Sequence, residues 1–210
     1  VELLGGVIFT TVPLFLHTHF NAPYFVISIW VFVFLTLLLM SVIDLRLQII
    51  PDGLTAFLSV LALVLVGYFY FFIPSGEPFG RHAVTGTFLG SYGLVFGFAL
   101  DPFIRAAIGA SFGLLFLGGL YVGTKGRGIG FGDVKLAGAL GLLLGWPDIL
   151  PTLLSAFILG SLVSVPLMVF RGKGMKTAVP FGPFIALGVA VIFFFGYDIV
   201  NAYFTLFGIM

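Results

Sequence analysis

The chain has 210 residues, of which 60% are hydrophobic and 27 are Phe, and its mean hydropathy is +1.25. That is more apolar surface than a water-soluble domain of this length can hide beneath a polar exterior. Charged residues make up only 8%, the net charge of +1 points to no partner such as nucleic acid, and the absence of Cys excludes a disulfide framework or a thiolate zinc site.

Several apolar runs reach the ~20 residues that a helix needs to cross a bilayer. Strict alternation, the mark of an outer-membrane barrel, is absent. The expected fold is therefore all-α, a polytopic transmembrane helical bundle forming a single membrane domain over residues 1–210. Residues 3–16 read as a short first span, followed by a polar turn, His17-Thr18-His19-Phe20-Asn21-Ala22-Pro23, with a helix breaker. The second span, from residue 24 to about 43, delivers Asp44 to its end. Residues 45–52 form the first basic loop, and Pro51 is well placed at or just before the start of the third span, where its missing N–H costs little.

Three apolar stretches follow, at 54–73, 83–100 and 106–122. Seven of the nine basic residues fall in three inter-helix loops: Arg46; then Lys125, Arg127 and Lys135; then Arg171, Lys173 and Lys176. The positive-inside rule puts all three loops in the cytoplasm. Two crossings between the first two loops satisfy that rule, whereas three do not. The middle stretch, rich in glycine (Gly86, Gly90, Gly93, Gly97), is expected to be re-entrant or to lie along the outer face. A short helix is expected from about Val134 to Trp146, then a turn at Pro147-Asp148 and a return span at 152–170. The third basic loop is 171–179, and residues 184–207 leave the membrane again. About seven spans result.

Asp44 and Asp133 stand out, because an ionisable group near a bilayer is costly to keep and suggests function. Each lies where an apolar run meets a polar loop. Asp133 follows Gly130 and Gly132 in a flexible segment; its plainer role is to cap the helix it opens. The plainer role of Asp44 is an ion pair with Arg46. Asp52, after Pro51, reads as a helix cap. Lys135 reads as an interfacial snorkelling lysine or as a cation holding negative charge near the site. His17, His19 and His82 fall on the expected outer side without an acidic cluster, so no metal site is expected.

Three stretches of the chain resemble the type IV prepilin leader peptidases, aspartic proteases of the GxGD class. They are Ile43-Asp44-Leu45-Arg46-Leu47-Gln48-Ile49-Ile50-Pro51-Asp52, then Gly126 to Leu136 with its Gly130-Phe131-Gly132-Asp133, then Val179-Pro180-Phe181-Gly182-Pro183-Phe184. The resemblance covers nearly the whole chain. It implies that Asp44 and Asp133 are a catalytic pair, supported by Gly130, Gly132, Lys135, Pro51 and Asp52. It also implies a multi-pass protein of the bacterial inner membrane that cuts the basic leader from prepilin or pseudopilin precursors at the cytoplasmic face, without a cofactor. Many bacterial members carry a preceding segment with paired Cys-x-x-Cys motifs, associated with N-methylation. This sequence has no Cys, so methyltransferase activity is not expected of it. A proton-coupled transporter is the rival reading, but it favours carboxylates near mid-membrane around a central cavity.

Overall fold

In the computed structural model, residues 2–72, 87–89, 92–93, 101–171 and 180–208 are described. They form seven helices: α1 (Glu2–Phe20), α2 (Tyr24–Leu47), α3 (Asp52–Phe72), α4 (Pro102–Gly123), α5 (Phe131–Leu144), α6 (Ile149–Arg171) and α7 (Gly182–Leu206). Six are long and apolar enough to cross a bilayer. The all-α polytopic bundle expected from composition is thus observed, with the helices in the expected order. Most of the 83–100 stretch and nearly all of the third basic loop lie outside the described residues.

The remaining helix, α5, has 14 residues and a length of about 21 Å, short of the ~30 Å hydrocarbon core. Ten of its residues are buried. It starts three residues earlier than the sequence pattern suggests, at Phe131, because the glycine-rich segment already turns helical before Asp133. Along α5, Ala137, Gly138 and Gly141 leave the backbone bare, and α4 answers with Gly109 and Gly113. A Cβ built on Gly141 would stand 2.2 Å from the Gly109 carbonyl oxygen, and one on Gly113 would stand 2.3 Å from that of Ala137. The two helices therefore touch backbone to backbone, as small residues permit within membranes.

Within the same core, aromatic rings join α1, α2 and α7 around Phe193. Its ring centroid lies 4.8–5.3 Å from those of Phe15, Trp30, Phe34 and Phe88. Most of these contacts are tilted or edge-to-face, the geometry aromatic quadrupoles favour.

Beyond the C-terminal end of α5, the carboxylate of Asp148 is fully buried. It accepts the Thr87 hydroxyl and, at 3.0 Å, the Phe88 amide. Arg105, whose Nε donates to the Trp146 carbonyl at 3.0 Å, supplies the opposing charge. This polar knot ties residues 87–88 to the start of α4 and to the α5–α6 turn. Burial pushes the Asp148 carboxyl up to about 6, against the opposing effects of Arg105, the Thr87 hydroxyl and the Phe88 amide.

Two outcomes are expected. Gly141→Leu forces the α4–α5 contact apart and costs about 1–3 kcal/mol or more, read as a lower unfolding temperature in detergent; an unchanged temperature contradicts the contact. The folded Asp148 binds its proton more tightly than the unfolded chain, so its contribution is complete below about pH 4 and is lost as pH rises through about 6. The stability difference between wild type and Asp148→Asn should therefore shift in favour of wild type on acidification across that window, whereas a difference independent of pH contradicts the burial.

Candidate active site

Asp44 lies one turn before the end of α2. The helix stops there because Gln48 turns left-handed, with φ 54°, while its N–H still donates to the Asp44 carbonyl at 2.8 Å. The side chain of Asp44 is buried, and its Oδ2 accepts the Gly182 N–H at 2.9 Å. Gly182 is the first residue of α7. Amides at a helix start have no partner within the helix and readily serve an anion. A side chain there would displace the carboxylate: a Cβ on Gly182 would stand 2.7 Å from Asp44 Oδ2.

Asp133, also buried, occupies the first turn of α5, and its Oδ2 accepts the N–H of Gly130 at 3.0 Å. This is half of a capping box; glycine has no side chain to return the second bond. The capping role is therefore real, yet one carboxylate oxygen suffices for it.

Two contacts bring the two aspartates to the same end of the bundle. Ile50, in the turn after α2, lies against Gly132, where a Cβ would stand 3.0 Å from the Ile50 Cβ. Lys135, one turn into α5, reaches Asp52 at the start of α3, with Nζ and Oδ1 2.8 Å apart. The charge of Asp44 also acts on the Asp133 carboxyl. Lys135 further lies 5.0 Å from the Phe131 ring centroid, a cation–π contact. A groove of about 510 Å³ opens beside the Lys135–Asp52 pair, walled by α3, α4 and α5. Neither Asp44 nor Asp133 lines it.

The structure sorts the sequence expectations. Asp44 does not pair with Arg46; among the described residues the one ion pair is Lys135–Asp52. Asp52 spends its carboxylate on Lys135 rather than on capping α3. Pro51 immediately precedes α3, and its carbonyl accepts the amides of Leu54 and Thr55. Gly130 and Gly132 have distinct tasks, the first as amide donor and the second as the bare surface against Ile50. His17 and His19 end α1, at the far end of α2 from Asp44. Among the described residues no group of three His, Cys, Asp or Glu is arranged to hold a metal. The contact that residue-level reading missed is Gly182 on Asp44. Its signal was present in Pro180-Phe181-Gly182-Pro183, where a glycine between two prolines opens a helix.

The profile of the type IV leader peptidase family matches residues 30–165, which include both aspartates. A prepilin leader peptidase/N-methyltransferase of Xanthomonas campestris is 32% identical over 168 residues, covering 80% of this chain and 50% of that protein. One from Aeromonas salmonicida is 29% identical over 97% of this chain and 60% of its own length. One from Burkholderia pseudomallei is 42% identical over 99 residues, 44% of this chain and 32% of that protein. The chain thus spans about half the length of the curated relatives it matches. No solved structure matches it. On the family profile and these relatives, the chain belongs to the type IV leader peptidase family.

Proposed function

We propose that this chain is a membrane aspartic endopeptidase that removes the short basic leader from type IV prepilin or pseudopilin precursors. The observation that carries the reading is the placement of Asp44 and Asp133, two buried carboxyls at one end of the bundle, each holding a single backbone amide. The three basic loops favour the cytoplasmic face of the bacterial inner membrane for that end, where water is at hand.

The reaction follows from two carboxyls close together. They cannot easily both ionise, so the pair shares one proton over a range of pH. The ionised member takes a proton from water as its oxygen attacks the scissile carbonyl carbon. The protonated member donates to the carbonyl oxygen, giving a tetrahedral diol. Collapse of the diol breaks the C–N bond, and the amine leaves with a proton returned by the dyad. Neither a covalent intermediate nor a metal takes part. Lys135 and Asp52 hold α3 and α5 in register beside the pair, and Pro51, Gly130 and Gly132 set the backbone around it. Placement of both aspartates at helix ends argues against a transport pathway, which would put such groups near mid-membrane.

Removing either carboxyl should abolish turnover. Asp44→Ala and Asp133→Ala, assayed separately as purified proteins on a prepilin, are each expected to lose on the order of 10³-fold or more in cleavage rate; full cleavage by either variant removes that residue from the pair. The pH–rate profile of wild type is expected to be bell-shaped, falling on the acid side when both carboxyls are protonated and on the alkaline side when both are ionised. A rate that keeps rising with pH contradicts a shared proton.

A further inference from the structure

We infer that Gly182 is a positioning residue for the reaction, its backbone amide orienting the Asp44 carboxylate. The inference rests on the proposed peptidase reading, and on three observations independent of it. First, the donor and acceptor are 138 positions apart in sequence, so the 2.9 Å bond is a tertiary contact that the local fold of α2 does not require. Second, Gly182 opens α7, a 25-residue helix, and its amide combines a direct hydrogen bond with the positive end of the helix dipole. Third, the carboxylate oxygen occupies the place a side chain would take: a Cβ on Gly182 would stand 2.7 Å from Oδ2, 3.3 Å from Cγ and 3.5 Å from Cβ of Asp44. Glycine here is demanded by the approach of a carboxylate, since its own φ is not in the left-handed region.

The two carboxyls are thereby held differently. Asp133 accepts an amide from its own helix entry, so its orientation follows α5 wherever that helix moves. Asp44 accepts an amide from another helix, so its orientation depends on how α7 sits against α2. Movement of α7 relative to α2 would release an Asp44 oxygen without disturbing Asp133.

The test compares Gly182→Ala with Gly188→Ala. Gly188 also lies in α7, where a Cβ would stand 2.5 Å from the Thr152 carbonyl oxygen, so its substitution strains the α6–α7 contact away from Asp44. For Gly182→Ala, kcat on a prepilin is expected to fall about 100-fold, as for a displaced catalytic group, with KM within about twofold. Its pH–rate profile should also shift from that of wild type, because the displaced carboxylate no longer holds the Gly182 N–H bond. Gly188→Ala should lower thermal stability with the limbs of the profile in place. Should Gly182→Ala fail to fold, the amide proton of Gly182 can be followed by NMR in ¹⁵N-glycine-labelled wild type and Asp44→Ala. Its resonance is expected to move upfield in Asp44→Ala, as for a lost hydrogen bond. An unmoved Gly182 resonance, or a Gly182→Ala enzyme with wild-type kcat and pH profile, overturns the inference. If Asp44→Ala still cleaves, the peptidase reading itself fails; if Asp44→Ala is dead while Gly182→Ala matches wild type, only the role of Gly182 does.

Discussion

The bare backbone contact between α4 and α5 is the constraint on which the site rests. A 14-residue helix cannot span a bilayer alone, and its terminal amides and carbonyls would be left without partners in lipid. Gly109 and Gly113 on one side, with Ala137, Gly138 and Gly141 on the other, let α5 sink into the bundle until protein surrounds it. The first turn of α5 is thereby held against the bundle, with Asp133 buried although Gly130 and Phe131 stay exposed. At its other end, the Asp148–Arg105 knot closes the turn into α6.

Around that helix the second aspartate is brought in by the turn after α2 and the tertiary contacts that turn makes. The left-handed Gln48 ends α2 one turn after Asp44, and the next few residues carry Ile50 onto Gly132 and Asp52 onto Lys135. The other end of α4 is closed in a related way. Lys125 adopts φ 53°, and the amides of Lys125 and Gly126 return to the carbonyls of Val122 and Tyr121 at 3.1 and 2.9 Å, a Schellman closure. The flexible segment leading to Asp133 thus begins from a defined exit.

Much of this is legible from residue order. Long apolar runs mark the spans, since a bilayer demands continuous hydrophobicity whatever the partner helices are, and the isolated Asp44 and Asp133 stand out against that background. What is not legible is partnership. Asp52 reads as a cap because capping is local, yet its carboxylate goes to Lys135, 83 positions away. Gly182 reads as part of a turn, and only the fold places it on Asp44. The glycines of α5 suggest close packing without naming α4 as the partner. Burial of Asp148 is likewise invisible in Trp146-Pro147-Asp148, which looks like an ordinary exposed turn.

The central claim is the proposed convergence of residues 44 and 133 at a single end of the bundle. The natural absence of Cys makes it directly measurable, since Asp44→Cys/Asp133→Cys carries no other thiol. Spin labels on that double variant in bilayer nanodiscs should report a short, single distance, and a short bifunctional thiol reagent should join the two positions within one chain. A distance comparable to the ~30 Å thickness of the hydrocarbon core would place the two groups at opposite leaflets and contradict the account.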